Sequence, residues 1–159
     1  MRKKRVYKKY LEPDFNYNRV DFGRFINYLM KEGKKSVATK IFYTAFEKVK
    51  KETSQDPILV FEKAIQNVSP VLEVVSRRVG GANYQVPQEV SPARRFILAT
   101  RWLIAAARAR KGIPMNSRLA AEIIAASKGE GASIKKKQDT HRMAEANRAF
   151  AHFARRPSK

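Results

Sequence analysis

Apolar side chains recur every three or four residues over much of this chain, a period typical of amphipathic helices. The first such run ends before Gly33, a residue type that commonly terminates helices. A second run spans residues 38–49. A third follows Asp56-Pro57, which combines a capping side chain with a proline suited to the first helical turn. The predicted inward positions of these three helices are Phe22, Phe25, Ile26, Leu29, Met30, Ala38, Ile41, Phe42, Ala45, Val49, Val60, Phe61, Ala64, Ile65 and Val68.

Residues 71–90 replace the helical period with an alternation of two, which predicts a pair of β-strands. Gly80-Gly81 lies between them and allows the positive φ angles of a tight hairpin turn. Pro87 fits such a pair, since neither strand of an isolated hairpin is central. With about eight residues per strand the ribbon would reach roughly 26 Å. Its tip is polar, whereas its base carries apolar residues that can root it in the helices: Leu72, Val74, Val86 and Val90.

Three further helices follow the ribbon. Ser91-Pro92 repeats the cap-and-proline pattern and opens the fourth helix, and residues 116–128 predict the fifth. The last helix is predicted within residues 132–153, with one apolar face formed by Met143, Ala146, Phe150 and Phe153. The fold is therefore predicted to be mainly α: a single six-helix domain over residues 19–153, with a protruding two-stranded β-hairpin (71–90) between the third and fourth helices.

Charge indicates that this helical domain needs a partner. The 159 residues include 34 Lys and Arg against 14 Asp and Glu, a formal net charge of +20. Such self-repulsion destabilises a compact chain unless a polyanion neutralises it, either nucleic acid or an anionic membrane surface. Nothing is predicted to span a bilayer, because no run of about 18 apolar residues exists. A membrane-surface protein remains an alternative, but the apolar faces of six helices need one another and leave little for lipid.

Both ends of the chain are basic and lack apolar periodicity. Residues 1–18 are predicted to be a flexible basic arm that orders on a partner, with a solvated tail as the alternative. Residues 154–159 are predicted to be a basic C-terminal tail. The basic residues that precede the first acid of the arm are Arg2, Lys3, Lys4, Arg5, Lys8 and Lys9.

Candidates for catalysis or metal binding are few. The chain has no cysteine, which excludes disulfides, zinc–thiolate sites and a thiolate nucleophile. His141 and His152 are eleven residues apart, or roughly 16 Å along a helix, so they cannot form one site. No catalytic motif is present. Most carboxylates occur singly among basic residues, which predicts that they form solvent-exposed ion pairs. We predict no enzyme activity, cofactor, metal site or small-molecule substrate.

The predicted fourth helix carries a row of arginines. Arg94, Arg101 and Arg108 recur every seven residues, so they drift by only about 40° and form one stripe. Arg95 and Trp102 lie beside this stripe, and the apolar face lies opposite. Arginine favours bidentate contact with phosphate; a solvated helix face is the alternative, although such faces usually mix charge signs. Basic clusters spread along the chain, without a duplex-reading module, favour sequence-independent binding of RNA phosphates.

Three segments carry a family resemblance: EGKKSVATKIFYTAF, RRVGGANYQVPQEV and DTHRMAEANRAFAHF. They resemble the bacterial-type small-subunit ribosomal protein S-seven family, and the likeness runs from about Phe25 to Phe153. The resemblance implies a non-catalytic scaffold that binds the 3′ major domain of small-subunit ribosomal RNA and starts assembly of the subunit head. It also implies that the hairpin and the last helix lie near exit-site tRNA, the mRNA path, and the ninth and eleventh small-subunit proteins.

The resemblance implies a cytoplasmic ribosome, with an organellar copy as the alternative. Some members also repress their own messenger, so a regulatory RNA-binding module acting off the ribosome is a second hypothesis. Carried over by position, the rRNA-binding residues are Arg2, Lys3, Lys4, Arg5, Lys8, Lys9, Lys34, Lys35, Arg77, Arg78, Arg94, Arg95, Arg101, Arg108, Arg110, Lys111, Lys135, Lys136, Lys137 and Arg142. The positions expected nearest exit-site tRNA and mRNA are Val79, Gly80, Gly81, Ala82, Asn83, Tyr84 and Gln85.

Overall fold

The computed structural model describes residues 12–154 of the chain. The predicted arm contacts from Arg2 to Lys9 and most of the predicted tail lie outside the described residues. The described chain is mainly helical, and a hairpin separates the third helix from the fourth, which confirms the predicted fold class. In chain order the elements are α1 (Val20–Leu29), α2 (Lys35–Thr53), α3 (Pro57–Val68), β1 (Leu72–Val79), β2 (Ala82–Glu89), α4 (Pro92–Ala109), α5 (Met115–Ser127), α6 (Ala132–Ala146) and a 3₁₀ helix (Arg148–Phe153).

The described residues form two compact units, one ending at Lys40 and one beginning at Ile41, so the boundary falls within α2. In the first unit the buried carboxylate of Asp14 accepts hydrogen bonds from the backbone N–H groups of Asn16 and Tyr17, both at 3.3 Å. This Asx-type turn precedes α1 and fixes how the chain enters it. The predicted inward side chains of α1 are buried at Phe22, Phe25, Ile26 and Leu29 and half-buried at Met30.

The core of the second unit contains an aromatic cluster at α3. The ring centroid of Phe46 lies 4.3 Å from that of Phe42 and 5.5 Å from that of Phe61, and all three side chains are buried. Helix α3 also packs on α5, and α5 packs on α4. Asp56 caps α3 as predicted, because its carboxylate accepts a hydrogen bond from the Ile58 N–H at 3.0 Å. Ser91 precedes α4 but makes no such side-chain bond.

The hairpin is antiparallel and in register from Leu72 opposite Glu89 to Val79 opposite Ala82. Its turn residues Gly80 and Gly81 have φ angles of 57° and 92°. Both values lie where a side chain is disfavoured and where a two-residue type I′ turn requires its residues to be. At the base of the hairpin the predicted apolar residues are buried at Val86 and Val90 and half-buried at Leu72 and Val74.

One face of the hairpin also packs near its tip, where the sequence predicted little burial. The ring of Tyr84 lies 5.2 Å from that of Phe150 and 5.4 Å from that of Phe153. Across the strand pair, Arg77 donates from Nη1 to the backbone oxygen of Phe153 at 3.1 Å. The 3₁₀ helix thus holds the outer part of the ribbon, and we call these four residues the C-terminal clasp.

The last helix lies within the predicted range, but its predicted apolar face is divided between two elements. Helix α6 ends at Ala146, and the six residues from Arg148 to Phe153 are 3₁₀-helical. The amide of Asn147 donates to the backbone oxygen of Met143 at 2.8 Å, which favours termination there. A 3₁₀ helix has three residues per turn, so residues 150 and 153 lie above one another and both rings reach Tyr84. Met143, predicted to be inward, is 48% exposed.

Candidate nucleic-acid interface

Helix α4 has the two faces that the sequence predicted. Arg94, Arg101 and Arg108 are all exposed. On the opposite side Ala99, Leu103 and Ala107 are completely buried. The three arginines rise along one stripe of a helix fixed by its packed face, an arrangement suited to successive phosphates of a backbone.

The first turn of α4 is tied to the base of the hairpin. Arg94 donates from Nε and Nη2 to one carboxylate oxygen of Glu73, both at 3.3 Å. Arg95 donates from Nε to the backbone oxygen of Val90 at 3.0 Å. Both arginines are among the residues that the family resemblance predicts to bind RNA. The structure gives them contacts that fix the angle at which the ribbon leaves the helices.

A buried carboxylate joins the last three helices. Glu122 of α5 is 0% exposed and accepts hydrogen bonds at Oε1 from the backbone N–H and the hydroxyl of Ser133, at 3.0 and 2.7 Å. Its Oε2 accepts a 2.7 Å bond from Nη2 of Arg110, just after α4. This residue is an exception to the predicted exposed ion pairs. The sequence signal was its spacing from the buried Leu119, three residues earlier on the apolar face.

Glu122 caps the N-terminus of α6, because the helix has no capping side chain of its own. The N-cap residue of α6 is Gly131, which has no side chain and a φ of 100°. A Cβ placed there would lie 2.8 Å from Oε1 of Glu122. A carboxylate at a helix N-terminus is stabilised by the exposed N–H groups and by the helix dipole. We call Glu122, Arg110 and Ser133 the capping node.

The three lysines of the predicted cluster in α6 differ in their exposure to solvent. Lys135 and Lys136 are exposed, whereas Lys137 donates from Nζ to the backbone oxygen of Asn67 at 2.7 Å. Burial lowers the pKa of Lys137. Asn67 in turn donates to the Ala126 and Ser127 carbonyl oxygens at 2.9 and 3.0 Å, so this cluster satisfies the C-terminal carbonyls of α3 and α5.

His141 stands one helical turn further along α6. Its Nε2 accepts a hydrogen bond from the backbone N–H of Val71 at 3.1 Å, at the entry to the hairpin. Burial, and secondly the charge of Lys137, lowers the pKa of His141. The shift favours the neutral imidazole, whose Nε2 can accept the bond from Val71. His152 lies in the 3₁₀ helix, beyond the end of α6.

The remaining predicted contacts lie at the surface. In the first unit, exposed Lys34 pairs with Glu32 at 2.9 Å, and Lys35 is exposed at the start of α2. In the second unit the exposed predicted residues are Arg78, Gly80, Gly81, Ala82, Asn83, Gln85, Arg108, Arg110, Lys111 and Arg142, whereas Arg77, Val79 and Tyr84 are half-buried.

Neither a metal centre nor a membrane span was found in the described part of the chain. Residues 12–154 contain no group of three or more His, Asp or Glu side chains that could hold a metal ion. None of the helices in this range is long and apolar enough to cross a bilayer. Many Lys and Arg side chains are exposed on the helices of this range. Such a cationic surface can bind an extended polyanion.

Comparison with known proteins agrees with this chemistry. The family described as ribosomal protein S7p/S5e matches residues 1–148. The chain belongs to this family. It is 57% identical to the small ribosomal subunit protein uS7 of Magnetococcus marinus over 152 residues, covering 96% of this chain and 97% of that protein. Identity to the protein of the same name from Thermotoga maritima is 55% over 153 residues, covering 96% and 99%.

Membership of the family confirms the resemblance found in the sequence. RNA binding and a role in translation follow from it. The family consists of ribosomal structural proteins, which are not enzymes. The hairpin turn, the arginine row and the start of α6 all lie within the matched residues.

Proposed function

We propose that this protein is a structural constituent of the small ribosomal subunit and binds the 3′ major domain of its ribosomal RNA. The observation that carries the proposal is the exposed arginine row of α4, backed by a completely buried face. The names of the two relatives, which place those proteins in the small subunit, support the same assignment. With a net charge of +20, release of counterions from RNA phosphates is the main driving force.

The folded helices supply the geometry of this binding. A rigid helix presents Arg101 and Arg108 at fixed spacing, so little backbone order must be gained when phosphates bind. The tied residues Arg94 and Arg95 hold the hairpin relative to the row. Binding of this kind organises the RNA around the protein, and we propose that it nucleates assembly of the subunit head.

The hairpin turn is proposed to lie at the exit-site tRNA and the mRNA path. Its exposed positions from Gly80 to Asn83 carry small or neutral polar side chains, which suit close approach to a nucleic-acid backbone. The hairpin and α6 are further proposed to lie near the ninth and eleventh small-subunit proteins, in cytoplasmic ribosomes. The same basic surface would serve repression of the protein's own messenger.

Salt dependence of RNA affinity tests the proposal. Affinity for a fragment of the 3′ major domain is measured over a range of KCl concentrations for the wild type and for an Arg101→Ala/Arg108→Ala variant. The slope of log K against log salt is negative, and each phosphate contact that is lost makes it less steep by about 0.9. We expect the steepness to decrease by about 1 to 2 and RNA affinity to weaken throughout.

The control removes the same charge elsewhere. Lys63 and Lys128 are exposed on α3 and just after α5, and a Lys63→Ala/Lys128→Ala variant has the same net charge as the test variant. Equal losses in the two variants would contradict a specific arginine row. Recovery of the tagged protein with messenger but not with purified small subunits would favour the regulatory alternative.

A further inference from the structure

In the capping node, the buried carboxylate of Glu122 binds the side chain of Arg110 and fixes its position. Oε2 of Glu122 accepts from Nη2 of Arg110 at 2.7 Å, while Oε1 is occupied by both donors of Ser133. The carboxylate is 0% exposed, so its position is set by the helices around it. The side chain of Arg110 is 40% exposed. One end of the guanidinium is therefore held inside the protein while part of the side chain remains at the surface.

The surroundings of this side chain are basic. Arg108 and Lys111 are exposed on either side of it in sequence, at the end of α4 and in the loop to α5. Arg118, in the first turns of α5, donates from Nε to the backbone oxygen of Ile113 in the same loop. The loop that carries Arg110 is thus fixed by hydrogen bonds at both ends.

We propose that Glu122 is a positioning residue for RNA binding, which orients the Arg110 guanidinium so that its outward N–H groups meet a phosphate. This inference rests on the proposed function. A guanidinium has five N–H donors in a rigid plane, so anchoring one nitrogen fixes the directions of the others. Bidentate contact with phosphate depends on those directions, and a flexible arginine must lose rotamer freedom to achieve them.

Two effects of the carboxylate oppose each other. Its negative charge offsets that of Arg110 and weakens attraction to phosphate. One observation reduces this effect: Ser133 is the second residue of α6, so the positive end of that helix shares the carboxylate's charge. Loss of arginine rotamer freedom can weaken binding by up to roughly 30-fold. We therefore expect positioning to outweigh charge.

A thermodynamic cycle separates the two effects. RNA affinity is measured for the wild type, Glu122→Gln, Arg110→Ala and the double variant. Glutamine keeps the shape and can still accept from the Ser133 N–H, but its amide group would then face Arg110 and release it. We expect Glu122→Gln to weaken RNA binding by about 3- to 10-fold in the wild-type background. In the Arg110→Ala background only the charge effect remains, so the same substitution should leave RNA affinity unchanged or make it slightly tighter.

Two controls distinguish positioning from other causes. Ser133→Ala weakens the cap of α6 but leaves the bond between Glu122 and Arg110, so it should change RNA affinity less than twofold if the role is positional. Glu130→Gln removes an exposed carboxylate just before Gly131, the N-cap residue of α6, and it measures the effect of charge deletion alone. We expect that variant to bind RNA as tightly as the wild type or more tightly.

Each result of these affinity measurements either supports or contradicts the inference about Glu122. Equal or tighter binding by Glu122→Gln, or an equal loss in both Arg110 backgrounds, would overturn it. If Glu122→Gln fails to fold, Arg110→Lys gives the answer, because it keeps the charge and lacks the planar fork. That variant should lose affinity like Glu122→Gln, and wild-type affinity would refute the inference. Wild-type protein without salt-dependent RNA binding would instead refute the proposed function.

Discussion

Replacing Tyr84 by alanine tests whether the C-terminal clasp holds the outer half of the hairpin. The ring of Tyr84 faces both Phe150 and Phe153 at centroid distances of 5.2 and 5.4 Å. Each aromatic pair contributes about 0.5–1.5 kcal/mol beyond burial of area, so the two together contribute about 1–3 kcal/mol. A two-stranded ribbon is marginal in water without such support. Tyr84→Ala should therefore open the hairpin tip while leaving the helical core folded.

Native-state hydrogen exchange measures this opening at single residues. A loss of about 1–3 kcal/mol corresponds to roughly a 5- to 150-fold fall in protection, since 1.4 kcal/mol is a factor of ten. The fall should be confined to strand amides in residues 76–85, because local openings are independent of global unfolding. Amides in α4 and α5 should keep their protection, and the thermal midpoint should change little.

The control is Gln85→Ala, on the opposite and exposed face of the same strand. It keeps the strand register but removes no ring contact, so protection at the tip should remain within a few-fold of the wild type. The reasoning is refuted if Tyr84→Ala and Gln85→Ala have equal effects at the tip. It is also refuted if Tyr84→Ala lowers protection uniformly through the helices, because the clasp would then be part of the global core.

Two more predictions concern buried polar groups. Thr100 is completely buried in α4, and its hydroxyl has no hydrogen-bond partner among the described residues. Thr100→Val should therefore raise the free energy of unfolding, measured by urea titration, by about 0.5–1.5 kcal/mol. A free energy of unfolding below that of the wild type would contradict this reasoning. His141 has a folded-state pKa below its unfolded value, so its contribution to stability is complete above the unfolded pKa and is lost as pH falls through the folded pKa. In His141→Gln the amide oxygen can still accept from the Val71 N–H. This variant should lose less stability than the wild type when the pH falls from 7 to 5. Equal losses in the two proteins would show that His141 does not cause the loss of stability at low pH.

Local patterns were sufficient to predict most of the helices and the hairpin. The apolar period marks which side of a helix is buried, as at Phe22, Phe61 and Leu103. Asp56-Pro57 identifies the start of α3 because a cap and a proline act within one turn. Gly80-Gly81 identifies the hairpin turn because few other residues adopt its φ angles.

The errors and omissions have a different physical origin. Helix α6 ends at Ala146 because Asn147 bonds back to Met143 and because rings far along the chain fix the residues that follow. Periodicity describes burial, but it does not say which polar groups meet across helices. The bond from Lys137 to Asn67 joins residues 70 positions apart. Such pairs depend on how the helices pack, so the sequence alone did not distinguish the lysine that packs from the two that are exposed.

The basic side chains of the second unit therefore fall into two groups with different physical roles. Arg77, Arg94, Arg95, Arg110 and Lys137 each donate to a carbonyl or carboxylate oxygen of another segment, so they hold strands, helices and loops together. Arg78, Arg101, Arg108, Lys135 and Lys136 are exposed on elements that this first group holds in place. Arg77, Arg95 and Lys137 gain less from a phosphate, because they are half-buried and the bonds that they make within the protein must be shared or broken. The number of counterions released on RNA binding should therefore follow the exposed group and the arginines held at the surface, and it should fall well short of the net charge of +20.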